Sequence, residues 1–107
     1  MSKHRIRELN DAFRQSFIGG RVVVTPGVRS LPLATNALLL DRVRTFTDFD
    51  ADNDPHQEHD FGAIEIEGQR YFRKIDYYDS IMVGHSEDPT DPGKTTRVMT
   101  IMRAAEY

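Results

Sequence analysis

Asn53-Asp54-Pro55-His56-Gln57-Glu58-His59-Asp60-Phe61-Gly62 places two imidazoles and three carboxylates within a few residues of one another. Imidazole changes charge near neutral pH and carboxylates orient it, so this grouping has the components for proton transfer. Asp54-Pro55 is a helix-start signal: aspartate accepts from the first free amides, proline fits the first helical position, and Gln57 sits at a capping-box position. The pattern predicts a short helical turn over about Pro55 to His59. On such a turn His56, His59 and Asp60 project to one side and Glu58 flanks them. Two chemistries follow. His59 and Asp60 can ligate zinc or another divalent metal. Alternatively Glu58, His59 and Asp60 form an acid/base group in which a carboxylate orients His59. The structural alternative is that Asp54 caps the turn, His59 bonds a backbone carbonyl, and the carboxylates face water or pair with arginines.

Known signatures fail on inspection. The zincin spacing H-E-x-x-H is absent, and His56-Gln57-Glu58-His59 is one residue short of its inverted form. His56-Gln57-Glu58 matches the H-x-E of zinc deaminases, whose remaining ligands are cysteines, and the chain has none. Asp48-Phe49-Asp50-Ala51-Asp52-Asn53 opens like a calcium loop. Its twelfth position is His59 rather than a bidentate glutamate, and its eighth is Pro55, which leaves at most weak calcium binding. No phosphate loop, dinucleotide fingerprint or nucleophile elbow is present.

A second cluster is Lys74-Ile75-Asp76-Tyr77-Tyr78-Asp79. Strand alternation puts Lys74, Asp76 and Tyr78 on one face, where they can bind a polar or anionic ligand or simply form a cross-strand salt bridge beside an edge tyrosine. A tight hairpin across Gly68 brings Asp60 and Phe61 opposite the residues around Asp76 and Tyr77. Such a register predicts that both clusters merge at one end of the sheet, with Arg97 as a third contributor.

The elements that must position these residues read as follows. Ile6, Leu9, Phe13 and Phe17 recur at helical spacing after a Ser2 cap, and Gly19-Gly20 ends that helix. Arg21–Thr25 is a strand whose consecutive valines predict burial on both faces, cut off by Pro26-Gly27. A second helix starts at Ser30-Leu31-Pro32 and carries Leu33, Ala37, Leu40 and Val43 or Arg44 as its apolar stripe to about Phe46. Phe61–Glu67 and Arg70–Tyr77 form a hairpin, with Asp79 to Met82 as a possible continuation of pairing. After the loop Ser86–Gly93, the last strand runs from Thr95 to about Met102. The sum is a single α+β domain over residues 1–107, with two helices packed on one face of a mostly antiparallel sheet of about four strands.

Composition narrows the classes. The absence of cysteine excludes thiolate zinc, iron–sulfur and disulfide chemistry and suits a cytoplasmic protein. No apolar run is long enough to span a bilayer, and no apolar stretch follows the charged N-terminus, so neither a membrane segment nor a signal peptide is expected. The net charge of −3 divides into +5 over residues 1–47 and −8 over residues 48–107. The two halves are expected to meet through helix-to-sheet salt bridges. Without a dense Lys/Arg cluster, nucleic acid is not an expected partner.

Asn53-Asp54-Pro55-x-x-Glu58-His59-Asp60-Phe61-Gly62, Lys74-Ile75-Asp76-Tyr77-Tyr78-Asp79, Ser86-x-Asp88-Pro89-x-Asp91-Pro92 and Thr96-Arg97-Val98-Met99-Thr100-Ile101-Met102 resemble a bacterial domain-of-unknown-function family, number 3768, widespread in alphaproteobacteria. The resemblance covers nearly the whole chain and implies almost nothing about activity. Two places depart from the family pattern: His56-Gln57, where an aromatic residue and glycine are expected, and Arg73, where tryptophan is expected. The first departure weakens His56 as a ligand and leaves Glu58, His59 and Asp60.

Three functions are carried forward. The first is a small cytoplasmic binding or regulatory module without catalysis, with Lys74, Asp76, Tyr78 and Arg97 as binding residues. The second is a metal-assisted or acid/base hydrolase built on Glu58, His59 and Asp60 together with Asp76. The third is an acidic protein that mimics a nucleic-acid surface. No cofactor and no particular partner is named by the residues; pairing of an exposed last strand would make a homodimer.

Overall fold

The computed structural model describes residues 2–107, with side chains from His4 onward. Helix α1 spans Ser2–Ser16, and the side chain of Ser2, its expected cap, lies outside the described residues. The helix buries Ile6 and Phe13. It ends two residues earlier than Gly19 predicts. Phe17 takes the left-handed conformation at φ 62° and its amide donates to the Phe13 carbonyl at 2.6 Å. Arg44 sits 4.4 Å above the Phe17 ring, a cation–π contact that helps hold an aromatic residue where glycine was expected.

Strand β1 (Gly20–Val24) follows, then a one-turn helix α2 (Pro26–Arg29) where the sequence predicted only a break, then α3 (Leu33–Thr45). Pro26 occupies the first turn of α2, which suits its fixed φ and missing amide. In α3 the buried positions are Leu39 and Val43, while Leu33 is 87% exposed. The inward stripe is therefore rotated from the expected one, and Asn36 marks it by donating to the Val28 carbonyl at 3.0 Å.

Strands β2 (Phe61–Ile66), β3 (Gln69–Asp79) and β4 (Thr95–Arg103) complete a four-stranded sheet in the order β1-β4-β3-β2. Two of its pairings are antiparallel and the β1–β4 pairing is parallel. The β2–β3 turn has Glu67 at φ 53° and Gly68 at φ 77°; positive φ at both central residues is the two-residue hairpin geometry that matches strand twist.

Two strand expectations are corrected. Val23 is 45% exposed, because β1 is an edge strand and only alternate valines turn inward. The last strand, expected at an exposed edge, is central. Its Val98, Met99, Ile101 and Met102 are all buried, and a strand apolar on both sides belongs inside a sheet. The edges are β1 and β2. A single core joins Phe13, Val28, Leu39 and Val43 of the helices to Ile64, Tyr71, Ile75, Met99 and Ile101 of the sheet. No helix of the described residues is long and apolar enough to cross a membrane.

Candidate functional site

The Asp48–Asp60 segment contains no helix, and over Pro55–His59 no helical turn; it is a series of tight turns leading into β2. Gln57 and His59 both adopt left-handed conformations, at φ 58° and 57°, so the expected one-sided projection of His56, His59 and Asp60 does not arise. Asp54 still organises the loop. It is 4% exposed, and its Oδ1 accepts the amides of Glu58 and His59 at 3.1 Å each. The carboxylate thus closes a wider ring than a helix cap does. Its bonds support the left-handed residues, which otherwise cost about 1 kcal/mol or more each. His56 is exposed.

Glu58 faces a buried polar network. The Tyr77 hydroxyl donates to Glu58 Oε1 at 2.9 Å. Asn10, fully buried, donates through one amide nitrogen to the Tyr77 hydroxyl at 2.8 Å and to the Glu58 carbonyl at 3.0 Å. Its oxygen accepts Arg97 Nε at 2.7 Å, and Arg97 Nη2 donates to the Pro89 carbonyl at 2.6 Å. The Arg97 guanidinium also lies 5.1 Å from the centre of the Tyr77 ring. Helix α1, both central strands and the Asp48–Asp60 loop therefore meet at one amide side chain, and Arg97 extends the network to the Ser86–Gly93 loop. Burial pushes the Tyr77 phenol above its ordinary range, with the Glu58 carboxylate adding to the rise. Burial also lowers the Arg97 guanidinium. Tyr77 accordingly stays a neutral donor.

His59 is held separately. Its Nδ1 lies 2.9 Å from Asp11 Oδ1 and its Nε2 lies 3.7 Å from Asp54 Oδ2. Its ring stacks flat on Phe49, with centroids 3.7 Å apart. Arg14, 3% exposed, shares Asp11 at 3.0 Å. The imidazole is thus oriented by Asp11 of α1, rather than by Glu58 or Asp60. Beside it, a shallow depression of about 290 Å³ is lined by Arg7, Phe49, Asp54, Pro55 and His59 among others. A histidine oriented by a carboxylate at the wall of a depression is a possible general base.

Asp60 points neither to His59 as a partner nor to a shared metal site. Burial raises its pKa, neighbouring Glu58 and Asp54 add to the rise, and Arg73 opposes it. Among the described residues no group of three His, Cys, Asp or Glu side chains is placed to hold a metal ion. Arg73 is fully buried. Its Nη1 donates to the His59 carbonyl at 2.8 Å, its guanidinium lies 5.6 and 5.4 Å from the Phe46 and Phe49 ring centres, and Nε and Nη2 have no hydrogen-bond partner among the described residues. Desolvation pushes its pKa down to about 10. Gly62 makes this packing possible, since a Cβ there would meet the Phe46 ring at 3.0 Å.

The predicted merger of the two clusters does not occur. Phe61 pairs with Lys74, two residues short of Asp76, and the alternation of β3 separates the clusters by face. Arg73, Ile75 and Tyr77 turn into the core, while Lys74, Asp76 and Tyr78 turn to the opposite face. A site combining Asp76 with Glu58, His59 and Asp60 is therefore not assembled. Lys74 and Asp76 instead pair with each other at 3.2 Å, both more than a third exposed. Arg97 does join the Glu58 network, through Asn10 and Tyr77. Sequence reasoning gave Asn10, Asp11 and Arg14 no role in the site; an asparagine one residue after Leu9 on an inward stripe was the available signal.

The expected salt bridges between the charge halves are also absent. Among the described residues, none joins a lysine or arginine of residues 1–47 to a carboxylate of residues 48–107. The acids of the second half serve loops instead. Asp50 accepts the Asp52 and Asn53 amides, Asp79 those of Val83 and Gly84, Asp91 that of Gly93, and Glu106 those of Gly27 and Arg103. The aspartates bonding nearby amides show the ordinary chemistry of turns, whereas Glu106 reaches across the fold to α2.

Comparison with curated proteins and with solved structures gives no match. A family model described as "Protein of unknown function (DUF3768)" matches residues 24–106. That match takes in β2, β3, β4 and the loops that carry Glu58, His59, Asp60 and Arg97, and the chain belongs to this family.

Proposed function

We propose that the protein is a small non-catalytic binding or regulatory module of the cytoplasm, folded as one domain. In this reading α1 and α3 cover one face of the sheet, and the opposite face, bearing Lys74, Asp76 and Tyr78, is free for a partner. One observation carries it: the side chains best suited to catalysis are committed to internal bonds. Glu58 accepts Tyr77, and its carbonyl accepts Asn10. His59 is bound to Asp11, and its carbonyl accepts Arg73. Groups bonded this way hold a loop in shape, and freeing one for chemistry leaves buried partners unsatisfied at about 1–3 kcal/mol each. The absence of cysteine supports the cytoplasmic assignment.

The acid/base reading keeps one observation, the His59–Asp11 pair beside its depression. Hydrolysis of 4-nitrophenyl acetate and 4-nitrophenyl phosphate by the full chain and by His59→Gln separates the two. The binding-module reading expects no turnover above buffer for either protein and a lowered melting temperature for the variant. Turnover by the parent that disappears in a folded His59→Gln protein would overturn it.

A further inference from the structure

The outer edge of β2 is open. Ile75 donates its amide to the Asp60 carbonyl at 2.8 Å, which places Asp60 and Ile75 at a hydrogen-bonding position of the ladder. Bonded and unbonded pairs alternate in an antiparallel ladder. Gly62, Ile64 and Ile66 therefore bond to β3, whereas Phe61, Ala63 and Glu65 turn their backbone N–H and C=O groups outward. The only contact to these groups among the described residues is a long one, from Arg42 Nη1 to the Glu65 carbonyl at 3.4 Å. Ala63 has none. No backbone bond ties the Thr47–Asp48 segment to β2.

These outward groups open onto a groove of about 310 Å³ between β2 and the C-terminal end of α3, lined by Arg42, Phe46, Thr47, Asp48, Ala63 and Glu65 among others. An unpaired strand edge beside a helix end is the arrangement that accepts an added strand: the main chain supplies the bonds and alternate side chains enter the groove. The groove contains two exposed carboxylates, Asp48 and Glu65, against one guanidinium, Arg42. Its charge favours a basic side chain on the incoming strand. A second copy of this chain pairing through β2 would bring the same two carboxylates into the groove, and like charges oppose that.

We propose that the β2 edge and the end of α3 form a docking groove for an extended peptide segment that carries a lysine or arginine. The proposal rests on the binding-module reading and names its partner chemistry. The test begins with a phage-displayed library of random linear twelve-residue peptides selected on the immobilised full chain. Enriched peptides are then synthesised and titrated into isotope-labelled protein while backbone amide shifts are followed. Enriched sequences are expected to alternate β-branched and polar residues around a lysine or arginine, and to move the Ala63 and Glu65 amides. Ala63→Pro removes one outward donor and leaves the β3 ladder intact, as proline is tolerated at such edge positions. It should weaken binding about tenfold, the equivalent of one backbone hydrogen bond. Asp48→Arg lies outside the sheet and should reverse the preference from basic to acidic peptides, so it gives the answer even if the proline variant fails to fold. Peptides that bind while shifting only the Lys74–Tyr78 face would sink the groove and leave the binding module standing. No enrichment over an unrelated immobilised protein, or concentration-dependent dimerisation through β2, would also overturn the proposal.

Discussion

Adjacent residues of β3 have opposite fates. Tyr77 is 8% exposed and bonded to Asn10 and Glu58, while Tyr78 is 37% exposed and its hydroxyl makes no bond among the described residues. Arg73 is fully buried between phenylalanines, whereas its neighbour Lys74 makes a half-exposed pair with Asp76. The residue types hardly differ across each pair. What differs is the face, and with it the energetic weight of a polar group. On the inner face an unsatisfied donor has no access to water, so each bond is needed; on the outer face water replaces any partner that is lost.

The largest break in this contrast is expected from Asn10→Ala. It removes the acceptor of Arg97 and a donor to both Tyr77 and Glu58, and should cost about 3 kcal/mol in urea unfolding. An unchanged urea midpoint would mean that the network is decorative. Tyr77→Phe frees the Glu58 carboxylate and should cost about 1–2 kcal/mol, whereas Tyr78→Phe and Lys74→Ala should each stay within about 0.5 kcal/mol. Equal losses at Tyr77 and Tyr78 would erase the difference between the faces.

Arg73 sharpens the contrast from the other direction. With two of its nitrogens unpartnered, replacement by an apolar chain of similar length should be neutral or stabilising by about 1 kcal/mol, read from the melting temperature of Arg73→Met. A large loss would show that its bond to the His59 carbonyl governs the loop. The smallest effect is expected at Asp60, whose pKa burial raises. The folded protein then binds a proton at higher pH than the unfolded chain does, so ionised Asp60 destabilises the fold at neutral pH. That penalty disappears as pH falls through the raised value. Asp60→Asn should raise the melting temperature at pH 7 and lose that advantage in acid. A gain independent of pH would place the cause elsewhere.

The two long helices, the hairpin and the strand order along the chain were legible because each follows from a local period: Ile6 with Phe13, Ile64 with Ile66, and the Glu67-Gly68 turn; the single turn of α2 has no such period and was not. The charge asymmetry was legible too, but its use was not. The acids of Asp50, Asp79 and Asp91 bond amides a few residues away, while the arginines Arg14 and Arg44 take Asp11 and an aromatic ring. The Asp54-Pro55 signal was read as a helix start, and the loop closed instead around left-handed Gln57 and His59, a choice stabilised by the buried position of Asp54.

The sequence by itself determined which residues can carry chemistry, that the fold is α+β, and that Glu58, His59 and Asp60 enter the first hairpin strand. The tertiary structure alone decided how they are used. A register that pairs Phe61 with Lys74 sends Tyr77 inward and Asp76 outward, and one step in pairing exchanges the two faces. The packing of α1 then supplies Asn10 and Asp11 from forty-eight residues away in sequence. No local period records such a contact, because only the folded chain brings those atoms within hydrogen-bond reach.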